Sequence, residues 1–159
     1  MQFFPPTLVI RHRKENLLKC SLRGLENRPD FSFLTYPTEE LPSVEQYVLL
    51  AIDAPPLDSS DSQQGLLILD GTWRYAEKML EWVQQKSLIK RRSIPAQCRT
   101  AYPRCQTACP FPEQGLASIE AIYIAYIILK RDPSHLLDHY YWKEEFLRKN
   151  KPFLDALRL

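Results

Sequence analysis

Apolar residues along this chain come in short blocks separated by polar, proline-bearing stretches. TLVIRH at 7–12 predicts a strand, and the alternating aromatic run FSFLTY at 31–36 predicts a second that ends at Pro37. YVLLAI, within the more ambiguous stretch 43–53, reads as a third, and a polar, proline-led loop follows over 54–65. Leu66 to Leu69 are four aliphatic residues without a polar break, the mark of a strand covered on both faces. An amphipathic helix is expected over 73–85 and a further strand over 87–95, closed by Pro95. Residues 96–115 show no periodicity, and a loop of that length inside a compact domain is usually functional. The rest predicts two helices. One is strongly apolar, over 118–131, with Ser118 as its cap and Pro133 closing it; the other is amphipathic and aromatic-rich, over 136–150.

Strands that precede helices, with aliphatic runs that do not alternate, predict an α/β fold. We expect one compact domain over 1–159, its mostly parallel sheet flanked by helices. In such sheets ligands bind in the crevice outside the carboxyl ends of the strands. GLLILDGTW, at 65–73, sets Asp70 and Trp73 at such a strand end. Asp or Thr at a strand-to-helix junction also serves as a helix cap, so the pattern alone leaves both readings of Asp70 open.

Composition narrows the class. With 45% hydrophobic and 25% charged residues, the 159-residue chain can bury a core as an ordinary globular protein does. No apolar run reaches the roughly 20 residues a membrane span needs, and the start MQFFPPTLVI lacks the basic and apolar regions of a signal peptide. A cytoplasmic protein with no membrane partner is expected. Between Glu81 and Glu113 no acid occurs, while Lys86, Lys90, Arg91, Arg92, Arg99 and Arg104 all fall there. That segment carries +6 of a net +2, leaving −4 for the remainder. Such a band, with Tyr102 interleaved, is an electrostatic footprint for nucleic acid; charge runs of this kind are otherwise solvated helix ends and loops.

Several chemistries lack their motif. Neither GxGxxG nor GxxxxGK[ST] nor GxSxG is present. Cys98, Cys105 and Cys109 lack paired C-x2-C spacing, with Cys20, His135 and His139 distant, so reduced, partly buried thiols and no metal are expected. His135 and His139 are four apart but without the Glu of H-E-x-x-H, and with His12 they read as surface or core residues.

Three stretches together resemble known proteins. LLILDGTWRYAEKML resembles the signature of DTW-domain proteins, a strand followed by D-x-T-W and a helix. GLASIEAIYIAYIIL resembles the second signature of that superfamily, and LLDHYYWKEEFLRKN the W-x-x-x-F-L-x-x-N tail of the related ribosome-biogenesis aminocarboxypropyltransferases. LLKCSLRGL is similar to the Lys-Cys-Ser/Thr segment of that second family. The resemblance runs from about residue 8 to residue 150. The Asp-Gly-Thr-Trp spelling favours the DTW side, because the rRNA enzymes usually show Asp-Cys-Ser-Trp. The amino-terminal cysteine cluster common in DTW tRNA enzymes is reduced here to Cys20.

The resemblance implies a SPOUT-like fold with a carboxy-terminal knot around an S-adenosylmethionine pocket. It also implies transfer of the 3-amino-3-carboxypropyl group to a uridine or pseudouridine nitrogen of tRNA or small-subunit rRNA. On the cofactor it would place Ser21, Pro37, Asp70, Trp73, Ile94, Leu116, Ala117 and Ser118, with Glu120 buttressing the loop before the second helix. The last three of the eight would offer backbone N–H groups at a helix start. Asp70 has three possible tasks: electrostatic placement, proton abstraction or capping. Lys90, Arg91, Arg92, Arg99 and Arg104 would meet RNA phosphate. A monomer is expected. A methyltransferase using the same pocket, or a non-catalytic RNA-binding assembly factor, are the alternatives.

Overall fold

The computed structural model describes residues 4–17, 20–38, 40–103 and 115–158. Five strands, β1 (Thr7–His12), β2 (Phe31–Tyr36), β3 (Tyr47–Leu50), β4 (Gly65–Asp70) and β5 (Lys90–Arg92), form one sheet in the order β2-β1-β4-β3-β5. Every pairing is parallel. Helices α1 (Trp73–Lys86), α2 (Ser118–Ile128), α3 (Lys143–Lys149) and α4 (Lys151–Leu157) cover it. Among the described residues no helix is long and apolar enough to cross a membrane.

The period of two along each strand sorts its side chains between two cores. Val9, Val48, Leu66 and Ile68 pack with α2, Phe146 and Leu154; Leu8, Ile10, Leu49 and Leu67 pack with Met79 and Val83 of α1. This is why Leu66 to Leu69 can be aliphatic throughout. Helix α1 is amphipathic because it covers the sheet from outside. Helix α2 is apolar on all sides because it lies inside, with Tyr123 edge-on to Phe146 of α3 at 6.0 Å.

The first two strands coincide with their apolar blocks, and the differences elsewhere have local causes. Strand β3 ends at Leu50 rather than 52, ahead of Pro55 and Pro56, which have no N–H to donate. The pairing resumes past that gap, where Leu57 N–H donates to the Ser93 carbonyl and Ser93 N–H to that of Pro55. Strand β5 keeps only three of the nine expected residues, since β3 offers partners only to 90–92.

Helix α2 stops at Ile128, three residues early. Lys130 turns left-handed (φ 60°), its N–H bonding Ile127 O while Arg131 N–H bonds Tyr126 O, a Schellman closure. Its N-cap is Ala117, so Ser118 is the first helical residue and not the cap. The helix expected over 136–150 is largely turns up to Trp142, with His135 at φ 68°, and α3 begins only at Lys143.

Helix α4 is an addition to the expected elements, set off from α3 by Asn150. Asn150 is buried, and its amide clasps a peptide across the fold. Arg99 N–H donates to Oδ1 at 2.7 Å, while Nδ2 donates to Arg99 O at 2.8 Å and to Phe146 O at 2.9 Å. The stretch after β5 is thereby tied to the α3–α4 junction. Asn150→Ala leaves those buried groups without partners, and thermal or urea unfolding should show a loss of about 1–3 kcal/mol. An unchanged midpoint would mean the clasp contributes nothing.

Candidate active site

Arg11 and Asp70 are register partners on the adjacent strands β1 and β4, so their side chains leave the sheet on the same face, toward α2. Arg11 Nε donates to Asp70 Oδ2 at 3.2 Å, both side chains being nearly buried. The Cys20 thiol donates to the same oxygen at 3.2 Å, and Ser118 Oγ donates to Oδ1 at 3.0 Å. Asp70 therefore ties together two strands, the segment after β1 and the start of α2. It does not cap α1: that N-cap is Thr72, whose side chain makes no capping bond. Arg11 is held further by Glu26 at 3.3 Å and lies over the Phe33 ring, 4.7 Å from its centroid.

A cavity of about 390 Å³ opens beside this hub, outside the carboxyl ends of β3, β4 and β5. Leu50 and Asp53 follow β3, Leu69 and Gly71 close β4, and Arg91 and Ile94 line the β5 side. Ala76 and Leu80 of α1 and Leu116 and Ser118 at the start of α2 complete the wall. Its size falls in the range of small-molecule sites, and its position is where open parallel sheets bind ligands. Gly71 stands where a Cβ would come within 3.3 Å of His12, so the turn into α1 passes close over the end of β1.

Of the eight residues assigned to the cofactor, Ile94, Leu116 and Ser118 line this cavity, and Asp70 stands directly behind Ser118. Trp73 opens α1 between the wall residues Gly71 and Ala76; its indole is outside the described side chains. Ser21 accepts from Ile119 N–H at 3.2 Å and so caps α2 from a distant segment. Ala117 N–H is spent on Glu120 Oε1 at 2.7 Å, and Pro37 lies beyond the edge strand β2, across the sheet from the cavity.

Glu120 is fully buried. Besides Ala117 N–H it accepts from Thr100 Oγ1 (2.7 Å), Ala101 N–H (2.8 Å) and the Tyr140 hydroxyl (3.0 Å). One carboxylate thus fixes the start of α2, the 100–101 segment and the turn before α3.

The basic band divides. Lys90 and Arg91 are exposed on the edge strand. Arg92 pairs with Asp61 at 3.2 Å, so an acid distant in sequence supplies a counter-charge that the band itself lacks. Arg99 is exposed and turns back onto the carbonyls of Ala96 and Cys98. Arg104 lies outside the described residues, as do Cys105 and Cys109. Cys20 and Cys98 are free and buried, and burial pushes each thiol up to about 12.

Glu15, Cys20 and Asp70 bring three ligand-type atoms within 4.8 Å of one another. The Arg11 guanidinium already donates to Asp70 and to Cys20, and so supplies the positive charge a cation would bring. Sequence reasoning missed Arg11, Glu15 and Asp53. Arg11 had one signal, a cation inside an aliphatic strand; Asp53 had another, an acid just after an apolar run, as at Asp70.

A model of the DTW domain matches residues 4–149. The chain belongs to the DTW-domain family. No curated protein matches it. Among solved structures it is similar to the SAM-dependent rRNA:acp-transferase Tsr3 from Vulcanisaeta distributa. The TM-score is 0.72 at 20% identity, over 98% of this chain and 83% of that one. This DTW protein therefore shares the Tsr3-like fold.

One acid of the hub titrates near neutrality. Burial, and then the adjacent Asp70 charge, push Glu15 up to about 7 from an ordinary 4.5, against the pull of Arg11. Between those values the folded protein holds a proton that the unfolded chain has lost. Stability must therefore fall as pH rises through that window and level off above it. Glu15→Gln, which cannot ionise, should remove this decline. Urea unfolding of both proteins across the window checks it, and parallel curves would contradict the assignment.

Proposed function

We propose that this protein binds S-adenosylmethionine in the cavity beside Asp70 and transfers its 3-amino-3-carboxypropyl group to a uridine or pseudouridine nitrogen in RNA. One observation carries the reading: both signature segments wall a single cavity. Gly71 and Ala76 come from the DGTW stretch, and Leu116 and Ser118 from the segment that opens α2. The similarity to an rRNA acp-transferase supports it, as does membership of the DTW family.

The cavity suits such a ligand. Aliphatic walls from Leu50, Ile68 and Leu80 offer an apolar slot, and Asp53 and Ser118 add polar groups at its edge. The cofactor, when bound, supplies an electrophilic γ-carbon on a sulfonium. The acceptor nitrogen forms its bond to that carbon as the carbon–sulfur bond breaks, the electron pair goes to sulfur, and 5′-methylthioadenosine leaves. The protein must place one of three sulfonium carbons in line with the nucleophile, which is a task of positioning.

Ser118, held by Asp70, sets the polar end of the cavity. Asp70 keeps a fixed negative charge beside it; Arg11 makes it a weak base, so electrostatic placement is its first role and acceptance of the imide proton its second. Trp73 would face the sulfonium, a contact of about 0.5–2 kcal/mol. Lys90 and Arg91, exposed beside the cavity mouth, would hold RNA phosphate. The carboxy-terminal knot implied by the family resemblance, and action in the cytoplasm on tRNA or small-subunit rRNA, belong to the same reading.

Two labels decide it. With S-adenosylmethionine labelled in the carboxyl group, tRNA or small-subunit rRNA should become labelled. With methyl-labelled cofactor, the label should leave in 5′-methylthioadenosine. Methyl label in RNA would make the protein a methyltransferase, and no label from either would leave an RNA-binding factor.

A further inference from the structure

A second opening of about 490 Å³ lies on the other side of the Asp70 hub, and nothing above uses it. Cys20 and Ser21 form one side, with Arg23 and Tyr102 beside them, and the turn from Asp138 to Trp142 forms the opposite side. Its walls are aromatic. Tyr141 is 86% exposed, the ring of a large side chain held out in solvent, and it meets Trp142 edge-on at 4.8 Å. Trp142 is half-buried against the core, which fixes the platform in place.

The opening is built. Gly24, at φ +94°, has no Cβ where one would collide with the His139 ring, so that ring can settle over the backbone. The one carboxylate in the lining, Asp138, is bonded by His135 Nδ1 at 2.9 Å. Arg23 is exposed there and leaves the opening a cation.

Its relation to the cavity is what assigns it a ligand. Asp70 Oδ1 bonds Ser118, a wall of the cofactor cavity, and Oδ2 bonds Cys20, a wall of this groove. Ser21, in the groove lining, also caps α2 at Ile119. Aromatic faces stack unpaired bases, a cation holds the flanking phosphate, and hydroxyl and imidazole groups meet a base edge. A base modified on its pairing edge must leave its helix to be reached.

We propose that this groove receives the acceptor base of single-stranded RNA, stacked on Tyr141 and Trp142, so that Asp70 stands between acceptor and cofactor. The inference rests on the function proposed above and adds where the RNA base lies. A short single-stranded oligouridine carrying one 5-iodouridine tests it by photo-crosslinking to the full chain. Crosslinks should map to Tyr102, Tyr141 or Trp142. Tyr141→Ala, at an exposed position that folding does not need, should weaken oligonucleotide binding about 5- to 100-fold. Its affinity for S-adenosylmethionine, read by calorimetry, should be unchanged. Crosslinks confined to the β5 edge near Lys90 and Arg91, with Tyr141→Ala silent, would overturn the groove while transfer of carboxyl label kept the activity. Groove crosslinks without any label transfer would support the site and remove the transferase reading.

Discussion

The Arg11–Asp70 ion pair is the constraint on which the site depends. Both side chains are nearly buried, and each charge is kept in the interior only by the other and by hydrogen bonds around it. Removing one partner from such a pair typically costs about 3–5 kcal/mol, because the survivor is left uncompensated. Their register across β1 and β4 makes the contact a consequence of strand order: β4 lies beside β1 although 59 residues separate the two side chains in sequence. The chain leaves β1 toward β2 and leaves β4 toward β5, so the pair sits where the connections part.

From that point the structure extends through carboxylates. Asp70 holds Ser118 and Cys20, and Glu120, one turn into the same helix, holds the 100–101 segment and Tyr140. Asn150 adds an amide that binds the neighbouring Arg99 peptide from the other side. Long irregular segments are thereby fixed by buried polar groups where no ladder is available. Each such group would be costly without its partners, which makes the arrangement specific as well as stable.

Much of this was legible in the sequence. β1, β2 and α1 follow from local pattern, because an aliphatic or alternating block buried in a sheet, or a helix covering one, writes its period directly into the chain. The parallel sheet followed from Leu66 to Leu69, and the position of Asp70 from where that run stops. The contacts of Asp70 were not legible, since its partners come from residues 11, 20 and 118 and only strand order brings them together. The helix expected over 136–150 failed for a related reason. Leu136, Leu137 and Tyr140 have helical spacing, but they are buried from successive turns while His135 takes a left-handed conformation. Asp61 was likewise invisible as the partner of Arg92.

The central claim is that Asp70 serves the reaction as a charge and does not serve α1 as a cap. Asp70→Asn keeps the size and one acceptor for Ser118 while removing the charge. Transfer of carboxyl label to RNA and cofactor affinity should be measured together, at a temperature where circular dichroism shows the variant folded. The account predicts transfer lowered about 100-fold or more, the scale on which a preorganised electrostatic group acts, with cofactor affinity within a few-fold of the unaltered protein. Near-normal transfer by folded Asp70→Asn would contradict it.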